Sequence, residues 1–107
     1  MKPLPLLLVF ATLAACSPQK VADDVTRRTA RTVVYPVVNL YMPGPQAEKA
    51  TTCIVDNATD EDLKLLLRDV GTRAGTSTIA NVKAIGRRQP AAECIAVQGL
   101  PPIPPIR

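Results

Sequence analysis

The chain has 107 residues, with 13 lysines and arginines, 9 acidic residues and no histidine. This length fits one small domain, and a net charge of +4 is too small to favour nucleic-acid binding. The absence of histidine removes the usual base of a catalytic triad and every imidazole ligand for metal or haem. We therefore predict no enzyme activity, no cofactor, no metal centre and no nucleic-acid partner.

The N-terminus has the organisation of a secretory signal. Lys2 precedes an apolar run, residues 3–13, which is shorter than the roughly 20 residues of a membrane-spanning helix. The run closes with Leu13-Ala14-Ala15-Cys16, which resembles the lipobox of bacterial lipoproteins. The alternatives are a plain signal peptide or a short membrane anchor, but Leu13 fits poorly at the first small position of an A-x-A cleavage site.

The lipobox resemblance implies where the protein is located. It predicts a signal peptide over residues 1–15, acylation of Cys16, for example with palmitate, and a lipidated tether over residues 16–21. Several acyl chains give stable anchoring, where a single chain is marginal. Ser17 resembles the residue found in lipoproteins sorted to the outer membrane, so we expect a periplasm-facing anchor there rather than in the inner membrane.

Two cysteines remain once Cys16 is assigned to lipid. In an oxidising compartment Cys53 and Cys94 are expected to form one disulfide. A redox pair or a metal site is the alternative, but the two residues are far apart and the chain has no C-x-x-C motif. The sequence therefore predicts a structural crosslink.

A helical domain is predicted over residues 22–99. Its first helix begins at Asp23-Asp24 and reaches Leu40-Tyr41, with Pro36 kinking or ending it; residues 32–35 are β-branched enough to form a strand instead. The opposite side of this helix carries three arginines that could contact lipid headgroups, although a solvated face paired with the two aspartates is favoured. These are Arg27, Arg28 and Arg31.

The second and third helices have clear starts. Pro45 suits the first position of one helix, whose apolar stripe is Ala47, Ala50, Cys53/Ile54 and Ala58. Thr59 is a typical cap for the next helix, and the acidic residues Asp60, Glu61 and Asp62 follow in its first turn. Gly71 comes after its end. Its apolar face is Leu63, Leu66, Leu67 and Val70. Together with Asp56 these carboxylates superficially resemble a calcium loop, but its glycine and distal glutamate are missing.

Two short helices and a proline-rich tail complete the chain. Thr76, Ser77 or Thr78 could cap a helix that carries Ile79, Val82 and Ile85 and stops at Gly86-Arg87-Arg88, and Gln89-Pro90 begins another that Gly99 closes. The tail, residues 100–107, is expected to be polyproline II or disordered. Its P-x-x-P spacing could suit a partner's groove, although a tail packed on its own domain is commoner. The partner-contacting candidates are Pro101, Pro102, Ile103, Pro104 and Pro105.

The predicted fold is all-α, a four- or five-helix domain with one disulfide. Over about residues 30–98 the segment Cys53–Ala58, the leucine-rich helix and Cys94 resemble small lipoproteins of alphaproteobacteria. The predicted function is a non-catalytic, membrane-anchored periplasmic lipoprotein that acts as a binding, accessory or envelope-assembly module with a protein partner. The alternative is an accessory subunit of an inner-membrane respiratory or secretion complex.

Overall fold

A computed structural model describes the backbone of residues 18–105 and the side chains of residues 23–105. The segment predicted as a signal peptide, Cys16 and the last two residues lie outside this range. The described part contains five helices and no strand, which confirms the all-α class. The helices are α1 (Pro18–Val38), α2 (Gly44–Asp56), α3 (Asp60–Leu67), α4 (Thr76–Arg87) and α5 (Ala91–Val97).

Helix α1 begins earlier than predicted, and it ends between Pro36 and the predicted limit at Leu40-Tyr41. It begins at Pro18, so the predicted start at Asp23 was too late, and the backbone of residues 18–21, expected to be a tether, is helical. Proline is compatible with a first turn because its missing N–H has no helical partner there. Helix α1 also continues past Pro36 to Val38. The strand alternative for residues 32–35 was therefore wrong.

Burial explains why residues 32–38 form part of helix α1 despite their β propensity. Four valines form a helical stripe that is at most 6% exposed, at positions 33, 34, 37 and 38. A strand would place neighbouring valines on opposite faces, whereas the helix buries all four on one face. Tertiary packing therefore overrides both the β-branched side chains and the proline.

The core lies where α2 meets the other helices. Helix α1 packs against α2 and α3, α2 also packs against α5, and α4 packs against α3 and α5. The residues of the apolar stripe predicted for α2 are all buried, although the last of them, Ala58, lies after the helix ends at Asp56. Within the described residues, no helix combines the length and apolar character needed to cross a bilayer.

Two details of the middle of the chain differ from expectation. Helix α3 ends at Leu67, and the chain turns before Val70, which is 39% exposed rather than part of the apolar face. The cap of α4 is Gly75 rather than a hydroxyl side chain. Thr78 is buried instead, and its hydroxyl donates a hydrogen bond to Asp69 Oδ2 at 2.8 Å.

Helix α5 ends in a Schellman motif. Gly99 has a φ of +71°, a left-handed conformation that glycine adopts without strain. Its N–H donates to the carbonyl oxygen of Ala96 at 3.0 Å, and the N–H of Leu100 donates to that of Ile95 at 3.2 Å. This is the bonding pattern of the motif, so the predicted closure at Gly99 is confirmed. It fixes the point from which the tail departs.

Candidate functional site

The disulfide joins α2 to α5. Cys53 and Cys94 are bonded, with 41 residues of sequence separation and Cα atoms 5.7 Å apart. Cys53 is fully buried, and Gln98 Nε2 lies 3.0 Å from its sulfur. Both cysteines in the described range are therefore held in one crosslink, which confirms the predicted pairing.

The basic face of α1 is partly used inside the domain. Arg27 donates to the carbonyl oxygen of Val55 at the C-terminal end of α2, and its Nε lies 3.2 Å from Asp23 Oδ2. Arg31 Nη1 donates to Thr52 Oγ1 at 2.9 Å. These bonds cross-connect α1 and α2, and a cation at a helix C-terminus is favoured by the helix dipole. Arg28, by contrast, is exposed.

The proline-rich tail lies on α4. Arg87 Nη1 donates to the carbonyl oxygen of Ile103 at 2.9 Å, and Lys83 Nζ donates to that of Pro105 at 3.1 Å. Ile103 is only 4% exposed and belongs to the core. We call the surface formed by Lys83, Gly86 and Arg87 the tail-binding face.

Gly86 makes room for the tail. A Cβ at this position would lie 2.8 Å from Ile103 Cγ1 and 3.2 Å from Ile54 Cδ1. A contact of 2.8 Å is closer than carbon atoms pack, so only glycine allows the tail to sit this deeply against α4. The absence of a side chain at Gly86 sets how closely the tail approaches α4, and Lys83 and Arg87 bind the carbonyl groups of the tail.

Lys83 is the more unusual of those cations. It is 8% exposed, although lysine is rarely so buried without a partner. Its ammonium lies 5.0 Å from the centre of the Tyr41 ring, within the range of a cation–π contact. The tail carbonyl and this ring together replace the water that burial removes.

An open groove remains beside the tail. It has a volume of about 320 Å³, at the lower end of the range typical of small-molecule sites. Its walls come from α4, α5 and the tail, and apart from Arg87 they are apolar. The lining residues are Gly86, Arg87, Ala92, Ile95, Ala96, Leu100, Pro102 and Ile103.

The acidic cluster serves the start of α3. Asp62 Oδ2 accepts a hydrogen bond from the N–H of Thr59 at 2.8 Å, and the N–H of Asp62 donates to Thr59 Oγ1 at 3.1 Å. This is a capping box. Arg88 also donates to Asp62 Oδ2, linking α3 to the end of α4. Burial opposes ionisation of Asp62, but the bonds from Arg88 and Thr59 outweigh it and lower the pKa of its carboxyl.

Asp62→Asn is expected to lower the free energy of unfolding at pH 7 by about 1 kcal/mol, the usual size of a lost cap or charged hydrogen bond. Because the folded-state pKa of Asp62 is lowered, its contribution is present above the unfolded-state pKa and disappears as pH falls through the folded-state value. Urea unfolding at pH 7, 4 and 2.5 should therefore show a wild-type advantage that shrinks with acid. Asp60→Asn, an exposed neighbour, is the control, and an equal loss there would contradict the capping role.

No protein-family model, curated protein or solved structure matches the chain.

The sequence-predicted residues separate into distinct places. The disulfide joins α2 to α5, Arg27 and Arg31 lie between α1 and α2, and the tail lies on α4. The tail-binding face was not predicted from the sequence. A signal for it exists, because Lys83 and Arg87 are four residues apart and so share one side of a helix. That spacing predicts a binding face only once the tail is known to pack against α4.

Proposed function

We propose that the chain is a lipid-anchored lipoprotein of the bacterial cell envelope, acting as a non-catalytic binding or accessory module that faces the periplasm. The observation that carries this proposal is the Cys53–Cys94 disulfide, because such bonds persist in oxidising compartments and are rare in the cytosol. It agrees with the lipobox resemblance of residues 13–16. Ser17 favours the outer membrane.

The surface of the domain supports a binding role. Pro101 and Pro102 are exposed on the outer side of the tail, next to the groove that the tail forms with α5. Val97 is 81% exposed and Leu40 is 64% exposed. A protein partner in the envelope would contact the exposed prolines while Ile103 stays buried. The lack of histidine and the bonded state of both domain cysteines support a non-catalytic role.

Cys16→Ser is expected to release the protein from membranes, because the thiol that carries the anchor is removed. The measurement is the fraction of protein in sedimented membranes, together with incorporation of labelled palmitate. Wild type should be almost wholly membrane-bound and labelled, and the variant almost wholly unlabelled. Ser17→Ala, a change next to the lipobox cysteine, is the matched control and should stay anchored. Unchanged membrane association and labelling of Cys16→Ser would refute the lipoprotein assignment.

The partner is sought by separating the two membranes and identifying proteins that co-purify in mild detergent. Recovery with an outer-membrane assembly protein would support the accessory role proposed here. Recovery in the inner membrane with a respiratory or secretion complex would replace it by the alternative, an accessory subunit of that complex.

A further inference from the structure

We propose that Cys94 is the site at which a small external thiol enters the disulfide, with Cys53 leaving as the thiolate. The starting observation is that the two cysteines differ in exposure. Cys53 is 0% exposed, whereas Cys94 is only half-buried. The rate of thiol–disulfide exchange depends on which sulfur the attacking thiolate can reach. The folded domain therefore favours attack at Cys94.

A surface groove beside α5 contains Cys94. It has a volume of about 340 Å³ and is lined by Asn57, Pro90, Glu93, Cys94, Val97 and Gln98. Cys53 is not among these lining residues and belongs to the hydrophobic core. The groove thus gives a small thiol a place to approach one end of the disulfide while the core covers the other end.

The side chain of Gln98 favours the same direction of attack. Its Nε2 lies 3.0 Å from Cys53 Sγ and 3.7 Å from Cys94 Sγ. An N–H donor stabilises negative charge on the sulfur that it contacts more closely. Exchange is faster when the departing thiolate is stabilised. Attack at Cys94, which places the charge on Cys53, is therefore favoured over the reverse.

The reaction balances without a further oxidant or reductant. The attacking thiolate forms a bond to Cys94 Sγ, the bond between the two cysteine sulfurs breaks, and its electron pair goes to Cys53 Sγ. The external thiol is oxidised to a mixed disulfide on Cys94, and Cys53 is reduced to a thiolate that takes a proton from water. Helix α5 is then no longer crosslinked to α2.

Glu93 selects the class of thiol. Among the described residues that line the groove, it is the only charged one, and it is exposed. A carboxylate repels an approaching thiolate, but it attracts the ammonium group of an aminothiol. Small aminothiols are therefore the preferred reactants at Cys94.

The test uses the oxidised full chain with Cys16→Ser, in which Cys53 and Cys94 are the only cysteines. The aminothiol cysteamine is added at pH 8, free thiols are trapped with iodoacetamide, and mass spectrometry of peptic peptides locates both groups. The cysteamine adduct should lie on Cys94 and the alkyl group on Cys53, by about ten to one. An equal distribution, or an excess of the adduct on Cys53, would overturn the proposal.

The unfolded chain is the control for this preference. In concentrated guanidinium chloride both cysteines are exposed and the Gln98 contact is lost, so the adduct should be distributed almost equally. A Cys94 excess that is as large in the unfolded chain would also overturn the proposal, because local sequence rather than folding would then be its cause.

Glu93→Gln tests the preference for aminothiols. At low salt it should lower the ratio of the cysteamine rate to the 2-mercaptoethanol rate by about threefold. The uncharged thiol corrects for any general change in stability. Glu48→Gln removes the charge of an exposed glutamate outside the groove and should leave the ratio unchanged. An unchanged ratio in Glu93→Gln, or an equal fall in Glu48→Gln, would overturn the role of Glu93.

Discussion

Replacing Cys53 and Cys94 by alanine is expected to lower the free energy of unfolding by about 4 kcal/mol. The bond closes a loop with 41 residues of separation, and the chain-entropy model assigns this value to the denatured-state freedom that such a loop restricts. Small domains have total stabilities of only about 5 to 15 kcal/mol. The loss is therefore large enough to leave a substantial unfolded population at 37 °C. Alanine is preferred to serine because no unpaired hydroxyl is then buried beside α5.

Urea unfolding followed by far-UV circular dichroism measures this loss. The background is Cys16→Ser, so that the two domain cysteines are the only ones present. The parent chain treated with reductant is the matched control and should unfold near the same midpoint as the double variant. A midpoint unchanged by either treatment would show that the crosslink does not limit the unfolded state.

Ile54→Ala is expected to cost about 3 to 4 kcal/mol, within the usual range for removing a large aliphatic side chain from a core. Ile54 is fully buried and lies on α2 beside Gly86, where Ile103 of the tail also packs. The cavity left by truncation would border both α4 and the tail. The domain should lose stability, and the tail should become easier to cleave by protease.

Thermal unfolding and limited proteolysis test the Ile54 prediction. Val97→Ala is the matched control, since Val97 is 81% exposed and surface substitutions usually change stability by no more than about 0.5 kcal/mol. If both variants lose the same stability, burial at position 54 is not the cause. If the tail of Ile54→Ala stays as protected as in wild type, Ile54 does not support it.

The features that could be predicted from the sequence are those whose causes lie within one or two turns of chain. The start of α3 followed from Thr59 and the acidic residues after it, because a capping box needs only residues three positions apart. The stripe of α2 followed from helical periodicity. The disulfide followed from counting cysteines once Cys16 was set aside, because an even pair in an oxidising compartment leaves one pairing.

Other features depended on residues far apart in the sequence. The predicted cap of α4 was wrong because Thr76, Ser77 and Thr78 all lie inside the helix. The Thr78 hydroxyl instead bonds Asp69, in the turn that follows α3. The basic residues of α1 were predicted to face solvent or lipid, yet Arg27 bonds Val55, which is 28 positions away. No local sequence pattern predicts a hydrogen bond between residues so far apart in the chain.

The sequence by itself determined the helical class, the crosslink and the lipobox-like N-terminus, because composition, periodicity and short motifs are properties of neighbouring residues. The tertiary structure decided that α1 continues past Pro36 and that the tail is bound rather than free. Both outcomes depend on burial against distant partners. A helix buries four valines of α1 on one face in the core, whereas a strand would leave some of them exposed. Ile103 is buried because Gly86 on α4 has no side chain to block it.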